Sequence, residues 1–151
     1  MKQNLLFFLI FMFLCPVITE AAITQEDLKI KDIFRIYGKN KNVTMVELSK
    51  EMPDTYDITF YKSITIKNDP DALTFIRKCL EKDQEGAHKI KEVMSDGGLI
   101  SAYYQVPGKN NDVNRFILFK VNEKGVITLI YLEGELDSDD LITILFTKKD
   151  L

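Results

Sequence analysis

The chain has 151 residues, of which 46% are hydrophobic, 28% charged and 11% aromatic, and its formal net charge is −3. This composition is typical of a globular domain and excludes long disorder, collagen-like repeats and a disulfide-dense miniprotein. The negative charge gives no basic footprint for nucleic acid, and two Cys and one His limit the metal and nucleophile chemistry that the chain can support.

The N-terminus has the pattern of a secretory signal peptide. A short positive start with Lys2 precedes an apolar run of ten residues, Leu5–Leu14. This run is shorter than the roughly 20 residues that a transmembrane helix requires. Small residues follow around Ala21, so the pattern predicts a signal peptide over residues 1–21 and a single mature domain over residues 22–151 with no transmembrane span. We therefore expect an exported protein, located in the periplasm or associated with the cell envelope.

Cys15 raises the alternative of a bacterial lipoprotein. Lipoprotein processing requires a small residue directly before the modified Cys, whereas bulky Leu14 precedes Cys15 and Pro16 follows it. Lipidation through Cys15 therefore fits the sequence less well than cleavage after Ala21. Removal of the signal peptide leaves Cys79 as the single cysteine, which excludes an intramolecular disulfide in the mature chain.

The mature chain is predicted to begin with a helix and a short strand. Thr24 precedes acidic residues, apolar residues then recur at spacings of three and four, and Gly38 offers a stop. This pattern predicts a helix over residues 24–37 that Thr24 caps. Val43–Leu48 is predicted to be a strand.

Ile58–Lys67 is predicted to be a half-buried strand because apolar and polar residues alternate along it. Its apolar face is expected to comprise Ile58, Phe60, Ile64 and Ile66. Lys62 interrupts this face, which indicates a bulge or a sheet edge at that position.

The next predicted element is a helix with a strong start signal. Asp69 is expected to cap it and Pro70 to occupy its first position, and the end is expected between Lys82 and Gly86. Residues 87–94 fit either a helix or a strand. The turn signal at Ser95-Asp96-Gly97-Gly98 favours a hairpin, with Ile90–Met94 as its first strand.

The remaining predicted elements are three strands and a helix. The strands are Leu99–Val106, Val113–Val121 and Val126–Leu132, and the nearly unbroken apolar run of the last predicts a central strand covered on both faces. Ser138 is expected to cap a final helix that extends through Phe146. This order predicts an α+β fold with a single twisted, mainly antiparallel sheet of about five to six strands and three helices, mostly packed on one face.

No catalytic or metal site is predicted from the residues. Cys79 lies on the apolar stripe of the second helix, where a thiol behaves as a small hydrophobe. His88 is the only histidine, which excludes a zinc site of the usual Cys/His type. We expect a surface histidine in a loop and no cofactor.

Two pairs of residues are the candidate binding residues. Tyr61, together with Tyr103 or Tyr104, is a candidate platform for a sugar or a partner, with ordinary cross-strand packing as the alternative. Glu133 and Glu135 are expected to share a strand face, where paired carboxylates can perform acid–base chemistry. The surrounding acidic run lacks the spacing of a calcium loop.

Several strings carry a resemblance to a known group of proteins. They include Asp32-Ile33-Phe34-Arg35-Ile36-Tyr37-Gly38, Tyr61-Lys62-Ser63-Ile64-Thr65-Ile66 and Thr128-Leu129-Ile130-Tyr131-Leu132-Glu133-Gly134. The set resembles small, signal-peptide-bearing exported proteins of Bacteroides and related gut bacteria, which are grouped as domains of unknown function. The resemblance spans nearly the whole mature chain and implies a Gram-negative envelope location and an α+β fold. It implies no active-site residues.

Three hypotheses about function follow. The leading one is a non-catalytic binding or assembly module whose partner is an unknown envelope protein or glycan. The first alternative is a carboxylate-based hydrolase that uses Glu133 and Glu135. The second is an inhibitor or regulator acting through the Gln105–Asn111 loop, because a helix followed by a meander is similar to cystatin-like folds and Gln105–Gly108 approaches their Q-x-V-x-G loop with one residue missing.

Overall fold

A computed structural model describes residues 27–49, 58–108 and 112–147, with side chains described through Thr143. The predicted signal peptide, Cys15 and Thr24 lie outside the described residues. Within these ranges, no helix has the length and apolar character that a bilayer span requires. The elements in chain order are α1 (Ile30–Tyr37), β1 (Val43–Ser49), β2 (Ile58–Lys67), α2 (Pro70–Asp83), β3 (His88–Ser95), β4 (Gly98–Val106), β5 (Asn114–Val121), β6 (Val126–Gly134) and α3 (Ser138–Thr147).

The strands form one antiparallel sheet of six strands in the order β1-β2-β6-β5-β4-β3. The predicted α+β fold is therefore confirmed. β3 to β6 form a meander, and the chain's earlier strand β2 pairs with β6, which places β6 in the interior of the sheet as its apolar sequence predicts. Residues 88–95 form a strand, so the hairpin interpretation of this segment is confirmed.

Two apolar clusters lie on opposite faces of the sheet. The larger cluster packs α1 and α2 against the sheet and includes Ile33, Ile76, Phe119 and Leu129. The smaller cluster lies on the other face, where Leu141 of α3 packs with Phe116, Leu118, Leu132 and Leu136. Two of the three helices thus share one face, in agreement with the predicted packing.

The N-terminus of α2 forms as the local sequence dictates. The Asp69 carboxylate accepts a hydrogen bond from the backbone N–H of Ala72 at 2.8 Å, and Pro70 occupies the first turn, where its missing N–H is not needed. The helix ends at Asp83, inside the predicted interval.

The start of α1 differs from the prediction because a distant residue caps it. The helix begins at Ile30 rather than at residue 24, and Lys29 supplies no side-chain cap. Instead, the carboxylate of Asp83 accepts hydrogen bonds from the backbone N–H groups of Lys29 at 2.6 Å and Ile30 at 2.8 Å. Burial raises the pKa of Asp83, although these two donors act in the opposite direction. The buried carboxylate thereby fixes the end of α2 to the start of α1.

The prediction of a bulge or edge at Lys62 is wrong. β2 lies inside the sheet, and its register shift falls between Ile58 and Phe60, which transfers Ile58 to the smaller cluster on the opposite face from Phe60. Lys62 keeps its place on the helix face because its Nζ lies 2.7 Å from Glu47 Oε2 and 5.3 Å from the ring centroid of Phe34.

The predicted cap of α3 is also wrong by one residue. Asp137 Oδ1 accepts hydrogen bonds from the backbone N–H groups of Asp139 and Asp140, both at 2.8 Å. Asp137 therefore has the capping role that Ser138 was expected to have. Two adjacent residues of cap-forming type made this position ambiguous in the sequence.

Candidate functional site

A groove runs between α2 and the β3–β4 hairpin on the helix face of the sheet. Its volume is about 570 Å³, and the residues that line it are Arg77, Glu81, Gln84, Lys89, Glu92, Met94, Gly97, Gly98, Leu99 and Tyr104. We call this set the α2–β3 groove. Arg77, Glu81 and Gln84 are spaced by four and three residues on α2, so the helical period places them on one stripe facing the hairpin.

The hairpin turn holds Arg77 at one end of the groove. Arg77 Nε donates a hydrogen bond to the backbone carbonyl oxygen of Leu99 at 3.0 Å. No ion pair or hydrogen bond joins the two terminal nitrogens of this half-buried guanidinium to any residue in the described ranges. One edge of the guanidinium is thus fixed by this hydrogen bond, and Arg77 is one of the residues that line the groove.

Gly98 provides the space for this arrangement. Asp96 and Gly97 have φ values of 50° and 76°, as a tight two-residue hairpin turn requires, whereas Gly98 has no positive φ. A Cβ at Gly98 would lie 2.8 Å from Arg77 Nη2 and 3.0 Å from Cζ and Nη1. Any side chain at Gly98 would collide with the Arg77 guanidinium, which explains why this position is a glycine.

The opposite wall of the groove carries a connected polar triad. The hydroxyl of Tyr104 donates a hydrogen bond to Glu92 Oε1 at 2.5 Å, and Lys89 Nζ lies 3.4 Å from the same oxygen. Burial raises the pKa of Tyr104, and the bond to Glu92 adds to this shift, so the hydroxyl stays protonated. The bulges between Lys89 and Lys91 and between Val93 and Met94 change which face successive β3 residues present.

The charged side chains of the α2–β3 groove balance one another. It contains two cationic and two anionic side chains, namely Arg77, Lys89, Glu81 and Glu92. Nothing in the described part of the chain groups three or more His, Cys, Asp or Glu residues as a metal site requires. The lining also includes no Ser, Cys or His. The arrangement offers donors and acceptors for a polar ligand.

A second polar constellation lies at the other end of the sheet and is closed. Arg115, which is only 3% exposed, donates from Nε to the Tyr131 hydroxyl at 2.8 Å and from Nη1 to the Pro107 carbonyl at 2.9 Å. Its two terminal nitrogens also bind the Asp27 carboxylate at 3.1 and 2.7 Å. The Tyr131 hydroxyl in turn donates to Glu133 Oε1 at 2.5 Å. We call these residues the Arg115 network.

The pKa shifts of the Arg115 network indicate a structural role. Burial alone would lower the pKa of Arg115, but its hydrogen bonds to Asp27 and Tyr131 outweigh this effect and raise it. Burial raises the pKa of Tyr131, and the bond to Glu133 acts in the same direction. Both groups therefore keep their protons, and their bonds fix the segment that precedes α1.

The predicted tyrosine platform is not formed by Tyr61 and Tyr104. Tyr61 is half-buried beside the smaller apolar cluster, whereas Tyr104 is 1% exposed and belongs to the larger cluster on the opposite face. Tyr103, the other predicted partner, shares the face of Tyr61 but packs against the same smaller cluster, with Lys91 Nζ 5.4 Å from its ring centroid. Of these three tyrosines, only Tyr104 lines the α2–β3 groove.

The predicted acidic pair is separated by the end of β6. Glu133 lies in the strand opposite Arg115 and accepts the hydrogen bond of Tyr131, whereas Glu135 follows the last strand residue, Gly134, and is exposed. The structure thus places Glu133 in the Arg115 network rather than at an open acid–base site.

The remaining candidates lie apart from one another. Cys79 is buried, and its pKa is raised to about 11 by burial and by the nearby carboxylates of Asp83 and Asp32. His88 is exposed at the start of β3, not in a loop. In the Gln105–Asn111 loop, Gln105 belongs to β4 and its amide donates to Asn114 Oδ1 at 3.0 Å, while residues 109–111 lie outside the described residues.

Sequence reasoning missed Arg77, Lys89 and Glu92. In the sequence, these charged residues have the pattern of an ordinary solvated helix or strand face. No sequence motif connects α2 with the β3–β4 hairpin. The one available signal was the Gly97-Gly98 doublet, because the tight turn needs only the first of these glycines for its φ angle.

The chain is similar to proteins whose function is unknown. The model of the family of unknown function DUF6108 matches residues 17–145. No curated protein matches the chain. A solved structure of a protein of unknown function, PA94 from Pseudomonas aeruginosa, is similar at 13% sequence identity and a TM-score of 0.37, with 74% of this chain and 80% of that chain covered.

Proposed function

Because the chain belongs to the family of unknown function DUF6108, we propose its function from its own residues: it is an exported, non-catalytic binding module of the cell envelope, and its ligand binds in the α2–β3 groove. The family assignment confirms the expected membership of an uncharacterised domain family. The export and the binding role rest on the arguments below.

One observation carries the binding proposal. The half-buried Arg77 lines the groove, and its Nε donates a hydrogen bond to the Leu99 carbonyl oxygen. Its two terminal nitrogens have no hydrogen-bond or ion-pair partner among the described residues. Fixing a long side chain costs conformational entropy, and the single bond to Leu99 returns little of that cost. A pre-positioned cation beside further polar side chains is the arrangement that binding sites use to orient a polar ligand.

The binding proposal is tested with the full chain, produced in a Gram-negative host and purified in the form that the host makes. We would titrate it with a library of envelope-derived saccharides and peptides and follow backbone amide chemical shifts. Shifts at Arg77–Gln84 and along β3, with the ligand recovered chemically unchanged, are the expected result. Shifts confined to Gln105–Gly108 would favour the inhibitor-like alternative, and cleavage of the ligand would favour the hydrolase.

The export proposal rests on the N-terminal pattern and is tested separately. The apolar run Leu5–Leu14 and the small residues around Ala21 favour cleavage after Ala21. Envelope fractionation and intact mass should give a chain that starts at Ala22. A mass that starts at Cys15 and includes acyl chains would replace this route with lipoprotein processing, and a full-length cytoplasmic chain would contradict export.

A further inference from the structure

We infer that the ligand of the α2–β3 groove carries a single carboxylate, which the Arg77 guanidinium binds in a bidentate manner, together with hydroxyl or ammonium donors directed at the acidic side chains of the groove. This inference rests on the proposed function, because it specifies the ligand class of the same site.

The geometry of Arg77 favours a planar anion. Its Nε edge is occupied by the Leu99 carbonyl, and Gly98 supports one face of the guanidinium. The two terminal nitrogens form a coplanar pair of donors that has no partner among the described residues. A carboxylate presents two oxygens at matching spacing and forms two parallel, charge-assisted hydrogen bonds with such a fork.

The charge of the groove favours a monoanion over a phosphate. Lys89 lies 3.4 Å from Glu92 Oε1 and is therefore already paired. Arg77 is the cation of the groove that has no ion pair among the described residues, and Glu81 is one helical turn away from it on α2. The four charged side chains of the groove sum to zero. A doubly charged phosphate would therefore add two negative charges beside one unpaired cation and two carboxylates, whereas a carboxylate would add only one.

The other polar groups of the groove can accept hydrogen bonds from donors on the ligand. The Glu81 carboxylate and the side-chain amide of half-buried Gln84 have no hydrogen-bond partner among the residues described. Glu92 Oε2 is 3.5 Å from Lys89 Nζ, at the limit of a hydrogen bond, and retains acceptor capacity. Hydroxyl groups of a sugar acid or the ammonium group of an amino acid would satisfy these acceptors, so both sources belong to the test.

The test uses probe pairs that differ only in the carboxylate. We would titrate the full-chain product with D-glucuronate and D-glucose, and with alanyl-alanine and its C-terminal amide, and use inorganic phosphate as a competing anion. The Nε–H resonance of Arg77 and the backbone amides of β3 report on the groove directly. The carboxylate member of at least one pair should bind at least about tenfold more tightly than its neutral partner, the effect of one charge-assisted bond.

Three variants separate bidentate binding from general charge. Arg77→Gln should weaken carboxylate binding at least about tenfold, whereas Lys78→Gln removes the same charge from the adjacent, exposed position and should leave affinity unchanged. Gly98→Ala keeps the charge but displaces the guanidinium, since its Cβ would lie 2.8 Å from Nη2. It should weaken binding severalfold without altering the overall fold, as the amide spectrum would show.

Each contrary outcome has a distinct meaning. If the neutral probes bind the groove as tightly as the acids, or if phosphate binds more tightly, the carboxylate inference is wrong while the groove remains the binding site. Equal losses in Arg77→Gln and Lys78→Gln would also overturn the inference, because they would indicate diffuse electrostatics. If no probe perturbs the groove, the inference is wrong, and the saccharide and peptide library decides the proposed function independently.

Discussion

Arg115 and Arg77 show two uses of the same side chain in one small domain. Arg115 is almost fully buried, and its guanidinium binds Asp27, the Tyr131 hydroxyl and the Pro107 carbonyl. Arg77 is half-buried and binds the Leu99 carbonyl alone among the described residues. Arg115 forms its hydrogen bonds within the fold, whereas the terminal nitrogens of Arg77 have no partner among the described residues, and the proposed function assigns them to a ligand.

This difference predicts that Arg115 contributes to stability and that Arg77 contributes to binding. A buried guanidinium must have its donors satisfied, because desolvation of an unpaired charge is costly. The Arg115 network meets this requirement and fixes the segment before α1 to β5 and β6. Asp83 fixes the same segment from α2 through the N–H groups of Lys29 and Ile30. Substitutions in these closed contacts should therefore affect unfolding, and substitutions at Arg77 should affect ligand binding.

The largest effect is expected from Arg115→Ala. The variant removes the donor to the Tyr131 hydroxyl and the Pro107 carbonyl and breaks the ion pair with Asp27. We therefore expect a loss of about 3 kcal/mol in the free energy of unfolding. Urea denaturation monitored by circular dichroism measures this loss. Arg35→Ala is the matched control, because Arg35 is exposed and, in the part of the chain that the structure describes, pairs only with Asp32 in the same helix turn. It should cost less than about 0.5 kcal/mol. Similar losses in both variants would show that the Arg115 network contributes no more than a surface ion pair.

A smaller loss is expected from Asp83→Ala. The change removes the acceptor of two backbone N–H groups at the start of α1, one of them buried. Loss of a cap and an unsatisfied buried donor together should reduce the free energy of unfolding by about 2 kcal/mol. Hydrogen exchange provides the specific measurement, since the amides of Lys29 and Ile30 should lose protection first. Unchanged exchange at these amides would show that another group caps α1.

The pH dependence of Asp83 should be smaller still and has a defined sign. Burial raises the folded-state pKa of Asp83 above its ordinary value of 3.8. The folded protein then holds this proton more tightly than the unfolded chain, so the stability from the protonated carboxyl is fully present below pH 3.8 and is lost as the pH rises through the folded pKa. Wild type should therefore lose stability relative to Asp83→Asn as the pH is raised across this window. If the free energy of unfolding of wild type minus that of Asp83→Asn stayed constant or increased with pH, the raised pKa of Asp83 would be contradicted.

The fold was predictable where the determining contacts are local. Asp69 and Pro70 define the start of α2 within a few residues, and Asp96-Gly97 defines the β3–β4 turn. The start of α1 was not predictable in this way, because its capping carboxylate is 53 positions away from Ile30 in the sequence. The face of Ile58 depended on a register shift that the alternation of residues does not reveal.

The candidate site was harder to predict than the fold for the same reason. Arg77 and Leu99 are 22 positions apart, and only the packing of α2 against the hairpin brings them together. Tyr61 and Tyr104 are equivalent in the sequence as aromatic strand residues, but α1 and α2 cover one face of the sheet and α3 covers the other. Glu133 was identified as a site residue by its acidic neighbours, but its hydrogen bond to Tyr131 makes it part of the closed network.

The smallest effect on stability is expected from Arg77→Gln, and this result tests the comparison most directly. The substitution removes the hydrogen bond from Arg77 to the Leu99 carbonyl and no ion pair within the described residues. The free energy of unfolding should therefore change by no more than about 1 kcal/mol. The same urea titration used for Arg115→Ala gives the comparison. If Arg77→Gln proved as destabilising as Arg115→Ala, Arg77 would be a structural residue, and its terminal nitrogens would not be reserved for a ligand.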